Sequence, residues 1–348
     1  MPITRSAIAA AALLLASTAF AEPVRIGVAA PLSGPSERLG RQLLDGAQAA
    51  AAASGAALTI ADDRCETAGG EEAARRFVDA EVSVVVGFLC TEAIEAALPI
   101  LSAAGIPTIT PGVRTDSLTD RRDRTGQPVW RLAPRADAEG EAVAALLVRA
   151  WRDSLFAIVD DGTIYGRELA EGFRAAAEQA GLKPVFVDTF RPQMDNQIGL
   201  VARLRRSGAT NVFVGGERDD IAIMTRDARG LGASITFAGG EALKAASGGV
   251  ALSEGTLMVG LPEWADIADQ AALAALEAAG VRPEGYVLPA YAAMQVALAA
   301  ATQVPPNVPN RLDTALGPVA FDAKGDLETN PYRLFHFTGD GFRPVESE

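Results

Sequence analysis

The sequence is poor in the side chains on which most catalytic and metal sites depend. Its 348 residues include one histidine, His336, and two cysteines, Cys65 and Cys90. A zinc site needs more ligands than the two cysteines supply, and the sole histidine is far off in sequence. A cysteine nucleophile would need His336 as its base. Motifs of serine hydrolases, P-loop nucleotide-binding proteins and zinc peptidases are missing as well. The sequence therefore argues against an enzyme and against a metal site.

Positive charge and long apolar runs are also scarce. The formal net charge is −13, and the Lys and Arg residues form no clusters. An acidic chain without basic patches argues against nucleic acid and against anionic membrane surfaces as partners. After the first 21 residues, no uninterrupted apolar run approaches the roughly 20 residues that a membrane-spanning helix needs.

The amino terminus has the features of a secretory signal peptide. Arg5 is followed by an apolar stretch over residues 6–16 and by the small-x-small sequence Ala19-Phe20-Ala21. This pattern predicts cleavage before Glu22 and export of the remaining chain. The alternative is a buried first helix. Export would place the protein in an oxidising compartment.

Cys90 has three possible roles: a nucleophile, a metal ligand or half of a disulfide. In an oxidising compartment, Cys65–Cys90 is the only intramolecular bridge that two cysteines allow. It would close a loop of about 25 residues and stabilise the fold by on the order of 3 kcal/mol. The disulfide is the favoured interpretation.

Apolar strand-like runs alternate with amphipathic helical segments along the chain. The first series runs from "VRIGVAA" at residues 24–30 to "IPTITP" at residues 106–111, and a second series follows residues 129–140. Apolar strands separated by helices are typical of parallel sheets that are covered on both faces. The sequence predicts an α/β fold of two doubly wound parallel-sheet lobes. The carboxyl-terminal part, too short for a third domain, is expected to cross back and complete the earlier sheets.

Several polar residues follow the predicted strands, where open α/β folds bind ligands. They are Thr91, Tyr165, Glu217 and Glu241. Thr91 precedes a helix, so its hydroxyl would either hold a carboxylate at the positive end of the helix dipole or cap its own helix. The adjacent pairs Asp62-Asp63, Asp160-Asp161 and Asp219-Asp220 are interpreted as solvated loop charge, and His336 as an outward or satisfied strand residue.

Segments throughout the chain resemble those of the Leu/Ile/Val-binding type of periplasmic substrate-binding protein of ABC importers. They include "VRIGVAAPLSGPSERLG", "DDRCE", "VVVGFLCTEA", "GIPTITPG", "FAIVDDGTIYGRELA", "FAGGEA" and "GPVAFDAKGDL". The resemblance implies a type I periplasmic-binding fold, with two lobes and three crossover segments that close around a ligand. It also implies the Cys65–Cys90 disulfide. We expect lobe 1 to comprise residues 22–133 and about 256–330, and lobe 2 residues 134–255 and about 331–348.

The resemblance also implies ligand-binding positions for an amino-acid-like zwitterion. The hydroxyl that holds the α-carboxylate falls on Thr91, and the carbonyl and acid that receive the ammonium fall on Gly112 and Glu241. Aromatic positions of the pocket fall on Tyr165 and Tyr286.

Other positions depart from the family pattern. Arg114 replaces an expected threonine, although an arginine can still clamp a carboxylate. Glu217 and Leu39 replace aromatic residues, and an expected aspartate is displaced by one position to Asp137. Arg114 and Glu217 would either pair across the cleft or bind a polar group of the ligand.

These features predict a periplasmic receptor that delivers an amino acid or a related small carboxylate to an ABC permease. We expect a monomer without cofactor or catalytic activity. Two alternatives use the same fold: a ligand-sensing module that signals to a membrane partner, and a receptor for an organic acid that lacks an amine.

Overall fold

The structure is a computed structural model and describes residues 23–346. The predicted signal peptide at residues 1–21 lies outside the described residues. Between residues 23 and 346, no helix is both long enough and apolar enough to cross a membrane.

The chain begins with a five-stranded parallel sheet in lobe 1. Its strands are β1 (Arg25–Ala30), β2 (Ala57–Asp62), β3 (Val84–Gly87), β4 (Thr108–Thr110) and β5 (Val129–Arg131), in the order β2-β1-β3-β4-β5. Val84 and Val86 pack on one face of the sheet, while Val85 packs on the other. Because both faces are buried, successive residues of these strands are apolar, as the sequence predicted.

Helices cover the two faces of this sheet. They are α1 (Glu37–Ser54), α2 (Thr67–Asp79), α3 (Thr91–Ala103) and the short α4 (Ser117–Asp120) and α5 (Arg122–Thr125). The β1 side chains Ile26 and Val28 share a core with α1, whereas Ala29 lies in the core with α2 and α3. The apolar side chains of β1 therefore pack against the helices on both faces of the sheet.

The chain then enters lobe 2 and repeats the alternation. The elements are α6 (Ala138–Ala150), β6 (Phe156–Asp160), α7 (Ile164–Gln179), β7 (Phe186–Thr189), α8 (Ile198–Ser207), β8 (Asn211–Gly215), α9 (Arg218–Gly230) and β9 (Thr236–Gly239). A single 3-10 turn, Glu241–Lys244, follows β9. Helices α6 and α7 share one core with the sheet, and α8 and α9 share the other.

The next strand corrects the expected division between the lobes. Strand β10 (Leu257–Gly260) pairs in parallel with β9 through Leu257 and Ala238. It therefore belongs to lobe 2, and the crossover follows Gly260, so the expectation that lobe 1 resumes at about residue 256 is wrong for this strand. A short apolar strand carries no local signal of which sheet it will join.

After β10 the chain returns to lobe 1. This part contains α10 (Trp264–Ile267), α11 (Gln270–Ala278), α12 (Val287–Ala301) and a two-stranded hairpin of β11 (Arg311–Thr314) and β12 (Gly317–Ala320). Helix α12 packs closely on α1. The close approach is seen at Gly46, where an added Cβ atom would lie only 2.0 Å from the carbonyl oxygen of Val287.

Two last strands, β13 (Arg333–Phe337) and β14 (Phe342–Pro344), add to lobe 2. They complete a seven-stranded sheet in the order β14-β13-β10-β9-β8-β6-β7. Both pair antiparallel, so this sheet is mixed rather than fully parallel. His336 is a strand residue here, as predicted, and pairs with Leu257.

Three connections cross between the lobes. They comprise residues 132–137 between β5 and α6, residues 261–263 between β10 and α10, and residues 328–332 before β13. The fold is the two-lobed, doubly wound α/β architecture with three crossovers that the sequence predicted. The carboxyl ends of the strands in both lobes line the region between them.

Candidate functional site

The candidate site lies between the lobes, on loops that follow the parallel strands. Lobe 1 contributes Arg114, which follows β4, and lobe 2 contributes Glu241, which follows β9. The third crossover contributes Tyr332. Such an arrangement allows one small molecule to touch both lobes at once.

Arg114, Tyr332 and Glu241 contact one another across the two lobes. Nη2 of Arg114 donates to the Tyr332 hydroxyl at 2.5 Å, and that hydroxyl donates to Oε2 of Glu241 at 2.9 Å. Nη1 of Arg114 lies 3.7 Å from the same carboxylate oxygen. A pair of Arg114 with Glu217 across the cleft was one of two alternatives for these residues; the acid that Arg114 meets from the other lobe is Glu241.

A second carboxylate holds the backbone of Glu241 in place. Glu139, in the first turn of α6, accepts hydrogen bonds from the Tyr165 hydroxyl at 2.8 Å and from the backbone N–H of Glu241 at 2.7 Å. A Cβ atom at Gly240 would lie 2.3 Å from the Glu139 carboxylate, so a larger residue at this position would displace that carboxylate. We call Arg114, Glu139, Tyr165, Glu241 and Tyr332 the cross-lobe cluster.

Burial and mutual charge shift the pKa values in this cluster. Burial raises the pKa of the Glu139 carboxyl, since the charged form loses water. Burial, and then the negative charges of Glu241 and Glu139 respectively, raise the pKa values of the Tyr332 and Tyr165 hydroxyls. For Arg114, burial lowers the pKa, but Tyr332 and Glu241 outweigh it and the net direction is upward. At neutral pH, the tyrosines are therefore donors and Arg114 is a cation.

Lobe 1 also presents a pair of hydroxyls. Thr91 is the first residue of α3, and its Oγ1 lies 2.6 Å from Oγ1 of Thr115. The N-cap residue is Cys90, so the side chain of Thr91 does not occupy the capping position that the alternative interpretation required. Two hydroxyls beside a helix amino terminus are suited to a carboxylate.

Gly112 and Tyr286 lie next to each other. A Cβ atom at Gly112 would approach Cδ2 of Leu89 to 2.3 Å and Cε1 of Tyr286 to 3.2 Å. The glycine therefore leaves room for the Tyr286 ring. Burial raises the pKa of Tyr286, on which the charges of Arg114 and Glu241 also act.

Two predicted positions lie apart from the cross-lobe cluster. Glu217 is exposed at the N-cap of α9, and Leu39 in α1 is 42% exposed. Asp137, where the displaced aspartate was expected, is bound to the guanidinium of Arg135 at 3.0 Å. The ligand-binding roles of these residues, and of those in the cluster, remain predictions.

Sequence analysis missed three residues of the site: Glu139, Thr115 and Tyr332. Glu139 and Tyr332 come from a helix start and a crossover, so the rule that ligand groups follow strands does not find them. The sequence did contain a pointer to Thr115, which lies one position beyond the place where the family pattern expects a threonine.

The predicted disulfide is confirmed. Cys65 and Cys90 are bonded, with their Cα atoms 5.2 Å apart. The bridge joins the loop after β2 to the residue before Thr91, and so fixes the start of α3. Over residues 23–346, no group of three or more His, Cys, Asp and Glu side chains is arranged to hold a metal ion.

Comparisons with known proteins agree with this geometry. A family model described as periplasmic binding protein matches residues 23–329. An amino acid binding protein from Pseudomonas aeruginosa is 29% identical, and the alignment covers 96% of each chain. The leucine-specific-binding protein of Salmonella typhimurium is also 29% identical over 96% of each chain.

Solved structures share the fold. A putative branched-chain amino acid ABC transporter protein from Rhodospirillum rubrum superposes with a TM-score of 0.77 at 20% identity, covering 93% of this chain and 100% of that one. A solute binding protein from R. palustris in complex with 4-hydroxybenzoate gives a TM-score of 0.62 at 16% identity, covering 94% and 96%. The resemblance predicted from the sequence is confirmed, and the chain belongs to the periplasmic binding protein family.

Proposed function

We propose that this protein is the periplasmic receptor of an ABC importer and captures an amino acid or an amino-acid-like small carboxylate. The observation that carries the proposal is the placement of opposite charges from different lobes, Arg114 and Glu241, within 3.7 Å. An α-amino acid carries one charge for each of them. The names of the relatives from Pseudomonas and Salmonella support the same ligand class.

In this proposal, each end of the ligand has its own partners. The carboxylate binds the hydroxyls of Thr91 and Thr115 and the guanidinium of Arg114. The ammonium binds the carboxylate of Glu241 and the carbonyl of Gly112. Tyr165, Tyr286 and Tyr332 surround the ligand, and the hydroxyl of Tyr332 orients Glu241 through its hydrogen bond of 2.9 Å.

Binding would favour the closed arrangement of the lobes. A ligand held by Thr91 on one side and Glu241 on the other makes its full set of contacts only when the lobes meet. Its higher affinity for that state shifts the population toward it. The closed form would then be the one presented to a membrane permease, with a monomer as the unit that moves.

The bound molecule would leave unchanged. In the cross-lobe cluster, Glu139 and Glu241 are engaged by Tyr165 and by Arg114 and Tyr332. Burial raises the pKa values of both tyrosine hydroxyls, so they stay protonated and are weak nucleophiles at neutral pH. The site is suited to recognition rather than to bond cleavage.

One observation favours a second ligand class. Arg114 stands where the family pattern has a threonine, and a guanidinium alone can bind a carboxylate through two hydrogen bonds. The R. palustris protein of the same fold is described in complex with 4-hydroxybenzoate, an acid without an amine. A receptor for organic acids is therefore the alternative.

A thermal-shift screen of the purified protein separates the two classes. The panel should contain amino acids together with aliphatic, aromatic and dicarboxylic acids. A ligand at 100 times its Kd stabilises the folded state by about 2.7 kcal/mol. Shifts confined to amino acids support the proposal. Shifts from acids that lack an amine would overturn it in favour of the alternative.

A further inference from the structure

We propose that Asp326 is a positioning residue of the binding site. Through Arg131 and Arg135, it would fix the loop that carries Arg114 and Thr115 and tie that loop to two of the three crossovers. The inference rests on the proposed function only in its statement that this loop binds ligand.

The centre of this network is a buried ion pair. The side chain of Arg131 is 0% exposed and that of Asp326 is 3% exposed. Nε and Nη2 of Arg131 lie 2.8 Å and 2.7 Å from Oδ1 of Asp326. The other oxygen, Oδ2, accepts from the Thr119 hydroxyl at 2.8 Å and from Nη1 of Arg135 at 2.9 Å. Every contact of Asp326 in this set is with lobe 1 or with the first crossover.

One arm of the network reaches the ligand-binding loop. Nη1 of Arg131 donates to the carbonyl oxygen of Thr115 at 2.7 Å, and Nη2 donates to the hydroxyl of Thr119. The same guanidinium therefore holds the backbone of the residue whose side chain meets Thr91 at 2.6 Å. Loss of Asp326 would leave Arg131 buried without its charge partner and free to change position.

A second arm reaches the first crossover. The guanidinium of Arg135 lies 3.4 Å from Asp116, 3.2 Å from Asp120 and 2.9 Å from Asp326. The next residue, Ala136, donates its backbone N–H to the carbonyl oxygen of Arg114 at 2.8 Å. The crossover is thus bonded directly to the residue that pairs with Glu241.

The third crossover joins the network where it leaves lobe 1. The backbone N–H of Arg131 donates to the carbonyl oxygen of Gly325 at 2.8 Å, beside Asp326. Farther along, Nδ2 of Asn330 donates to the carbonyl oxygen of Ala138 at 2.7 Å, on the lobe 2 side. In the first and third crossovers, hinge rotation would then be confined to the short stretches between these anchors, at residues 136–138 and 327–330.

Stabilisation of the fold alone does not explain why Arg131 and Asp326 form a buried ion pair. A buried ion pair costs much of its attraction in desolvation, and apolar residues of the same volume often stabilise a fold as well or better. What the Arg131–Asp326 pair adds is directional: three side chains donate hydrogen bonds to one carboxylate, which leaves Thr115 and Arg135 in fixed places.

The test compares Asp326→Asn with Asp227→Asn by hydrogen exchange of the ligand-free protein. Asp227 is a matched control, since it is buried and paired with Arg226 but lies in lobe 2. In Asp326→Asn, we expect amides of residues 112–120 and 132–137 to exchange at least about tenfold faster, with α12 unchanged. Equal exchange of these segments in wild type and both variants would overturn the proposal. Amide exchange that is faster by the same factor throughout Asp326→Asn, including α12, would also overturn the proposal.

A milder variant keeps the test decisive if Asp326→Asn does not fold. Arg135→Ala removes only the arm to the first crossover. Faster exchange is expected at residues 132–137 and at residues 116–120, where Asp116 and Asp120 lose the same guanidinium. Wild-type exchange at residues 132–137 would refute the proposed link between Asp326 and the crossover.

Titration with L-leucine then shows whether positioning acts through Thr115. We expect Asp326→Asn and Thr115→Val each to lower the affinity at least about tenfold, and Thr115→Ser to retain it. The double variant Asp326→Asn/Thr115→Val should bind no more weakly than the weaker-binding single variant. The reason is that substitutions of coupled residues do not have additive effects on the binding free energy. Fully additive losses would contradict the role of Thr115. A wild-type protein that does not bind leucine would count against the proposed ligand class, whereas the exchange experiment decides the positioning role.

Discussion

The guanidinium of Arg114 and the carboxylate of Glu241 lie 3.7 Å apart, although one follows a strand of lobe 1 and the other a strand of lobe 2. Tyr332 joins them by accepting a hydrogen bond from the first and donating one to the second. A zwitterionic ligand that enters here separates the pair and supplies a new partner to each side. An amine or an acid alone would leave one of the two charges without a partner, which is costly in a partly buried site.

Replacement of Glu241 by glutamine tests the ammonium side of the site. The change keeps the shape and removes the charge, and a hydrogen bond to a charged group contributes about 1.5–3 kcal/mol. We expect affinity for amino acids to fall at least about tenfold, measured by calorimetric titration. Glu171→Gln is the matched control, since Glu171 is an exposed glutamate of lobe 2 within α7 and has no proposed contact with the ligand. Equal losses in both variants would remove Glu241 from the site.

Replacement of Arg114 by threonine restores the residue that the family pattern has at this position. If the guanidinium binds the ligand carboxylate, affinity for amino acids falls by about tenfold or more despite the new hydroxyl. Arg203→Thr, which breaks an exposed pair with Asp188 in lobe 2, should leave the affinity unchanged. An increase in affinity in Arg114→Thr would mean that Arg114 obstructs the ligand instead of holding it.

The pH dependence of stability should carry the signature of Asp63. The interpretation of the Asp62-Asp63 pair as solvated loop charge is wrong for Asp63, whose side chain is fully buried. Its Oδ1 accepts from the backbone N–H of Cys65 at 2.9 Å, and Oδ2 has no hydrogen-bond partner. Burial raises its pKa from 3.8 to about 6, with a smaller contribution from the charge of Asp62. The folded state therefore binds this proton more tightly than the unfolded state. Its contribution is favourable below pH 3.8 and is lost as the pH rises to about 6.

Urea unfolding of wild type and Asp63→Asn between pH 4 and pH 7 measures this effect. The free energy of unfolding of the wild type should fall relative to that of the variant by on the order of 3 kcal/mol across that interval. Asp195→Asn, an exposed control, should follow the wild type. Parallel curves for wild type and Asp63→Asn would show that this carboxyl titrates normally.

Removal of the disulfide should destabilise lobe 1. The bridge closes a segment of 25 residues, which corresponds to about 3 kcal/mol in the chain-entropy model. Cys65→Ser/Cys90→Ser should lower the free energy of unfolding by that order in urea titrations. A reductant should shift the wild type in the same direction and leave the double variant unchanged. Insensitivity of the wild type to reductant would contradict a stabilising bridge.

Much of this fold follows from local sequence, because each strand and helix has its own periodicity. Thr91 and Glu241 were predicted in the site since they follow strands of parallel sheets, whereas Arg114 was predicted only from the family resemblance. Glu217 follows a strand as well, yet it lies exposed at the start of α9. Side-chain direction within a loop is set by packing of the whole lobe, and periodicity does not reveal it.

Long-range assembly accounts for the other differences. Tyr332 reaches Glu241 only because the third crossover passes beside the loop after β9, and the two residues are 91 positions apart. Strand β10 joins lobe 2 through hydrogen bonds to β9 and β13 that its own residues do not encode. The antiparallel pairing of β13 and of the edge strand β14 likewise shows only in the assembled sheet.

The most direct test of the central claim is a paired calorimetric titration of the purified protein. One ligand is the amino acid that gives the largest thermal shift, and the other is the same acid without its amine. The account predicts that the amino acid binds at least about tenfold more tightly than the deaminated acid, and that Glu241→Gln removes this preference. Equal affinities for the two acids in the wild type would contradict recognition of a zwitterion between Arg114 and Glu241.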